Sequence, residues 1–339
     1  MLTMMLETEA GTGNYEEVKQ SEWPQDGYVF NKTLSRCENG GTLSWNDETK
    51  KVIMKSNTSD KCYVYFDLKP LIFADYIINN VYTEDGVNDI YYHDGVGTYT
   101  NASQEAGDNS YRYSGANPNN YVCFGSDAAT CPNDNLYRII GLFDDDKDGI
   151  YNIKLIKNTS IGDYAWDSGK SNTWDSSTKP DIRTTLNSTF LGTINSTWQE
   201  KIATQNWKVG GMDRDEVATA KEYYNTEIGS SSGSTTDNMK IGLMYVSDYG
   251  YAAAPSNWTT ELSNYDSATS TNWLYLGEYE WTISRSTDNT ARAFRVDYTG
   301  YVRNYGMTNA FAVCPSFYLE SSVVLTGGTG TLNDPYKIA

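Results

Sequence analysis

The loop running from Asp144 to Gly149 (DDDKDG) is the stretch whose spacing comes closest to a metal-ligand set. Asp144, Asp146 and Asp148 occupy the first, third and fifth positions of an EF-hand calcium loop, with Gly149 at the sixth and Asn152 at the ninth. The twelfth position, where a bidentate carboxylate should complete the shell, is Leu155. A solvated acidic hairpin turn is the expectation. Asp144, Asp146, Asp148 and Asn152 are the candidate Ca2+ ligands, and no other cofactor is expected.

Hydrolysis by a Ser-His-Asp constellation would need His93, the single histidine of the chain. It stands in a polar, Gly-rich stretch beside Asp94 with no nucleophile elbow, so an exposed histidine without a catalytic role is expected. Trp45-Asn46-Asp47 is one half of a calcium-dependent sugar motif, but the Glu-Pro-Asn or Gln-Pro-Asp loop is absent and the tripeptide reads as a hairpin turn. The 44 acidic residues always offer carboxylate pairs, and their spacing in sequence says nothing about their separation in space. The reading is therefore not an enzyme, with a carbohydrate-active enzyme as one alternative.

Aromatic residues offer better material for recognition. The chain has 28 Tyr and 9 Trp, and these side chains give large, rigid contact area at low entropic cost. Tyr249, Tyr251, Trp258, Tyr265, Trp273, Tyr275 and Tyr279 are the candidate ligand-binding residues, on a face made by the loops from about Ser247 to Glu278 and from Thr287 to Asn309. The expected partner is an extracellular protein or glycan, held by ring stacking and by Asn, Asp and Ser hydrogen bonds without a metal. A formal net charge of −18 argues against nucleic acid, because phosphate neutralisation needs clustered Lys and Arg.

Cysteine placement bears on compartment. Cys37 and Cys62 flank a strand-rich segment, Cys123 and Cys131 flank a turn, and Cys314 is left over. Two local disulfides and an oxidising compartment are expected, with reduced core thiols as the alternative. Neither spacing fits a C-x-x-C metal knuckle. Cys314 reads as a small buried residue before Pro315, and an intermolecular bridge is the sharper alternative. No apolar run approaches the roughly 20 residues that span a bilayer, and no basic-then-apolar leader opens the sequence.

The elements that must position these groups read as follows. Short alternating runs between Leu34 and Asp67 predict a small β module. Leu71 to Val81 keeps helical spacing after Pro70, and a Tyr-, Gly- and Asn-rich stretch follows to Asn120, either a linker or an ordered loop. NLYRIIGLF and YNIKLIK predict a hairpin across the acidic loop. Helices are predicted at Asp181 to Leu191, from a capping box at Thr197, and at Glu216 to Ile228; a Ser/Gly/Thr loop then covers Ser230 to Asn238 before the sheet resumes from Lys240 to Val246. Beyond Glu280 the chain reads as a β meander, with Phe294, Val296 and Tyr298 facing one way and Arg295 and Asp297 the other. Helices before strands give an α+β order, not βαβ alternation.

Several phrases, in order, resemble a domain found in exported proteins of Gram-positive anaerobes: NYVCFGSDAATCPNDNLYRIIGLF, KLIKNTSIGDYAW, NSTWQEKIATQNWKVGG, IGLMYVSDYGYAAAPSNW and EWTISR. The resemblance implies a C-type-lectin-like fold, related to formylglycine-generating enzymes and retroelement variable proteins. It also implies an extracellular or cell-surface location in a Gram-positive-type bacterium. The expected organisation is a disulfide-closed all-β module over 1–68, a helix and linker over 69–118, and the C-type-lectin-like domain over 119–339. The function expected is surface display for binding or adhesion. A structural subunit of a surface assembly is the other alternative, self-associating through the N-terminal module or Cys314.

Overall fold

The computed structural model describes residues 1–24, 26–96, 102–174, 179–213, 217–229 and 236–339. The chain divides into two compact units, Met1–Leu71 and Ile72–Ala339.

In the smaller unit, Leu2–Glu7 lies between Tyr15–Val18, antiparallel, and Cys62–Leu68, parallel. Tyr28–Phe30 pairs with the other side of Cys62–Leu68. The first strand is thus interior to its sheet, and Tyr15–Val18 is an edge among the described residues. Alternation explains the core: Val64 and Phe66 turn inward with Met4, against Trp45 and Phe30. Thr42–Asn46 and Lys51–Lys55 form the hairpin expected around Trp45-Asn46-Asp47. Cys37 and Cys62 are joined by a disulfide.

The larger unit is mixed, mostly sheet with few helices. Its nine-stranded sheet, counted among the described residues, runs Ile241–Gly242, Ser316–Tyr318, Asn152–Lys157, Leu136–Phe143, Tyr121–Cys123, Tyr336–Ile338 and Leu325–Gly327. Tyr111–Tyr113 also pairs with Leu136–Phe143, and Ile90–Tyr92 lies beyond it. The stretch expected as a linker therefore supplies strands to this sheet. Leu136–Phe143 is buried along its whole length, as a central strand covered on both faces must be. The second disulfide, Cys123–Cys131, closes the turn after Tyr121–Cys123.

A second sheet runs Asp163–Ala165, Ala310–Ala312, Glu280–Ser286, Arg292–Val296 and Val302–Gly306. Glu280–Ser286, Arg292–Val296 and Val302–Gly306 form the first part of the predicted meander, whereas the later strands expected in it, Ser316–Tyr318, Leu325–Gly327 and Tyr336–Ile338, join the nine-stranded sheet instead. The helix after Pro70 is Phe73–Tyr76 continued by a wider turn over Ile77–Val81, and Asp181–Thr184 is continued in the same way to Phe190. The expected capping box at Thr197 is replaced by Asn195, whose side chain accepts from the Thr197 N–H at 3.0 Å. Thr219 and Glu222 form a capping box that opens Ala220–Glu227. The earlier start expected at Glu216 lies outside the described residues, as does most of the loop expected over Ser230 to Asn238.

The largest departure from expectation is Val246–Ala252. Strand and loop were expected here, but the segment is a helix in which every residue is buried. Gly250 permits this placement, since a Cβ there would lie 2.6 Å from the Ala220 Cβ of the neighbouring helix. No helix among the described residues is long and apolar enough to cross a membrane.

Candidate functional site

The meander sheet carries an open aromatic face organised around one arginine. Arg295 lies opposite Trp281 on one neighbouring strand and Arg303 on the other, and Ala293 lies opposite Tyr305. The two-residue period places Arg295, Arg303 and Tyr305 on the same side. The Arg295 guanidinium carbon sits 4.2 Å from the ring centre of Tyr279, 4.8 Å from Tyr305 and 5.1 Å from Phe311. These are distances at which cation–π attraction operates. Arg295 is only 6% exposed, while Tyr279, Tyr305 and Tyr298 are 36%, 42% and 57% exposed.

The arginine is incompletely satisfied. Among the described residues its Nε and one terminal nitrogen make no hydrogen bond, and that terminal nitrogen lies 3.9 Å from an Asp297 carboxylate oxygen. The same oxygen is 3.3 Å from Nε of the exposed Arg303. Burial pulls the Arg295 pKa down, with Asp297 opposing it. Asp297 also builds the adjoining turn, accepting from the Thr299 N–H at 2.9 Å and the Tyr301 N–H at 3.2 Å. Gly300 completes that turn at φ +90°, a conformation that suits glycine. The turn presents Tyr298, whose carbonyl accepts from the Tyr275 hydroxyl at 2.6 Å.

Five of the seven aromatic residues expected to bind ligand are not on this face. Tyr249, Tyr251, Trp258, Tyr265 and Trp273 are buried, and their polar atoms are used internally. The Tyr249 hydroxyl donates to the Gly300 carbonyl at 3.0 Å, Tyr265 to Gly250 at 2.7 Å and Tyr251 to Gln104 at 2.9 Å. The indole N–H of Trp258 donates to Ala253 at 3.0 Å and that of Trp273 to Tyr113 at 2.8 Å. A ring whose faces and donor are spent inside has nothing to offer a ligand, so the expectation is corrected for these five. Tyr275 is half-buried at the edge of the face, and Tyr279 belongs to it. Tyr298, Tyr305, Phe311 and Arg295 were not singled out as ligand-binding residues from sequence, although all but Phe311 fall in the expected 287–309 loop range. An arginine within the apolar alternation of AFRV was the available signal.

His93 also differs from expectation. It is buried against Trp258 and Tyr251, and its Nδ1 accepts from the Ala106 N–H at 3.1 Å. Burial pushes its pKa well below the usual value.

A second arrangement lies inside the larger unit, beside a cavity of about 740 Å³ whose walls include Lys154, Asp248, Arg112, Asp108 and Trp207. Lys154 Nζ donates to Asp248 Oδ2 at 2.6 Å, and the Tyr245 N–H donates to the same oxygen at 2.9 Å. Arg112 donates to Asp248 Oδ1 at 3.3 Å and to Asp108 at 2.8 Å. Burial pulls the Lys154 pKa down against the attraction of Asp248. Neither this lysine nor Asp248 stood out in the sequence, where Lys154 is a lone charge in the apolar run NIKLIK.

The acidic loop at the cavity rim brings carboxylate oxygens of Asp144, Asp146 and Asp148 within 4.8 Å of one another. Asp144 spends both oxygens on backbone N–H groups of Asp148 and Gly149, each at 3.0 Å, as an acidic turn does. The Asn152 amide donates instead to the Leu319 carbonyl at 2.8 Å. Cys314 is buried, which does not place its thiol to bridge two chains. No protein-family model, curated protein or solved structure matches the chain.

Proposed function

We propose that this is an extracellular, surface-displayed recognition protein that binds a glycan or protein at the Arg295 face and does not transform it. The observation that carries this reading is the pair of open rings of Tyr279 and Tyr305 around a buried guanidinium, with the exposed ring of Tyr298 packed edge-on against Tyr279 at 5.4 Å. Such rings offer flat apolar area with polar tips, and the neighbouring arginines supply donors in an otherwise acidic chain. Two disulfides support an oxidising compartment.

We further propose a C-type-lectin-like architecture for the larger unit. Helices before the meander, and the adjacency of Tyr121–Cys123 to Tyr336–Ile338, support it. The domain would then resemble the surface modules to which the sequence phrases point.

The test is a binding panel of glycans and extracellular proteins, run with the unmodified chain and with a Tyr298→Ala, Tyr305→Ala double variant. The expected result is a ligand whose affinity falls at least tenfold in the variant, about 1.4 kcal/mol or more. Binding that is unchanged in the variant would overturn the assignment of this face. Conversion of a bound glycan to product would overturn the non-enzymatic reading.

A further inference from the structure

We propose that Lys154 and Asp248 are a modification site, at which the chain forms an intramolecular amide cross-link between Lys154 Nζ and Asp248 Cγ. The inference is independent of the ligand face. Three observations carry it: contact geometry, exclusion of water, and the charge balance left behind.

Nζ is 2.6 Å from Oδ2, and both side chains are essentially fully buried, at 1% and 0% exposure. The ammonium is surrounded by rings, with the centroid of Tyr245 at 4.3 Å, Trp207 at 5.1 Å, Tyr318 at 5.4 Å and Phe143 at 5.9 Å. Such surroundings penalise the ammonium, and burial pulls the Lys154 pKa down, towards the neutral amine that a nucleophile must be. Holding nucleophile and carbonyl in contact removes the entropic cost of bringing them together.

The step balances without an external reagent. One proton passes from Nζ to Oδ2. The amine lone pair then attacks Cγ, forming the C–N bond and placing negative charge on Oδ1, which already accepts from Arg112 at 3.3 Å. A second proton passes from nitrogen to Oδ2, the Cγ–Oδ2 bond breaks, and water leaves. The third nitrogen proton stays on the amide. Nothing is oxidised or reduced, and an ammonium plus a carboxylate becomes an amide plus water. Lys154 and Asp248 stand on the cavity wall, so the water has somewhere to go.

Charge balance separates this pair from an ordinary buried ion pair. Before the step, Lys154 and Arg112 face Asp248 and Asp108. Afterwards, Arg112 still has Asp108 at 2.8 Å, so dehydration leaves no orphan charge. The bond would tie the strand Asn152–Lys157 to the helix Val246–Ala252, joining residues 94 apart in sequence.

The experiment is intact-mass measurement of the folded full chain after reduction and denaturation, followed by peptide mapping. The expected result is a mass one water below that of the sequence and a branched peptide joining the segments that carry Lys154 and Asp248. Lys154→Met and Asp248→Ala should each restore the full sequence mass. A folded protein at full sequence mass, with the two segments recovered as separate linear peptides, would overturn the proposal. So would a one-water loss confined to a single linear peptide.

Discussion

The aromatic residues between 249 and 273 and those between 279 and 311 come from one continuous stretch of similar composition, yet they reach opposite ends. Tyr249, Tyr251, Trp258, Tyr265 and Trp273 are core, with each hydroxyl or indole N–H bonded to a backbone carbonyl. Tyr279 and Tyr305 reach solvent around Arg295, and Tyr298 does so beside Tyr279. The difference lies in what carries them. The first group sits on or against the buried helix Val246–Ala252 and the short turns after it, where the backbone offers inward acceptors. The second group sits on a sheet face and its turns, where alternation directs side chains outward. Aromatic density alone does not identify a binding surface; the supporting element decides it.

This contrast has measurable consequences. Trp258→Ala and Trp273→Ala should each cost about 3 to 5 kcal/mol of stability, read by denaturant unfolding, because each empties a buried site and removes an internal hydrogen bond. A loss within about 0.5 kcal/mol for either would return these rings to the surface and cancel the distinction.

A pH effect of similar size is expected from Glu227, which is buried beside the start of the same helix. Its carboxylate accepts from the Val246 and Ser247 N–H groups, each at 3.1 Å, and from the Ser284 hydroxyl. Burial pushes its pKa from 4.5 up to about 7, with Ser284 and Ser247 pulling it back. Because the folded-state value is raised, the folded chain holds the proton that the unfolded chain releases. The associated stability is therefore fully present below about pH 4.5 and lost as pH rises towards about 7. The change should be about 3 kcal/mol. Denaturant midpoints across that range should fall with pH, and Glu227→Gln should flatten the slope. Burial also pushes Glu280 up, to about 8, so it adds a fall of the same sign extending higher in pH.

A smaller effect is expected where the two helices meet. Gly250→Ala should destabilise by about 1 to 3 kcal/mol, since the added methyl group meets Ala220 at overlapping distance. Thermal unfolding should register this as a lower midpoint, and a gain in stability would mean that the helices are further apart than described. Least disturbed of all should be Tyr298→Ala and Tyr305→Ala, within about 0.5 kcal/mol of the unmodified chain by the same measurement. If either proves as costly as the tryptophan variants, the open face is a structural one.

Much of the framework was legible in the sequence. The hairpin across the acidic loop, the helix after Pro70, the first part of the meander and both disulfide pairs announce themselves through local pattern, which period, turn residues and spacing carry. Val246–Ala252 was illegible for a physical reason. Its Ser247 and Asp248 read as solvent-facing, but the partners that make them tolerable inside are Glu227, Arg112 and Lys154, distant in sequence. The candidate site was half legible for a similar reason. Composition showed that rings were abundant, but only the pairing of Arg295 with Arg303 and of Ala293 with Tyr305 shows which of them share a face.

The strand Tyr336–Ile338 lies between Tyr121–Cys123 and Leu325–Gly327, in the interior of the larger sheet. During synthesis the strands made first would wait with an unfilled gap until residue 338 has cleared the ribosome. The larger unit thus cannot close this sheet until its last strand has been made, and until then the edges beside the gap stay open to wrong partners.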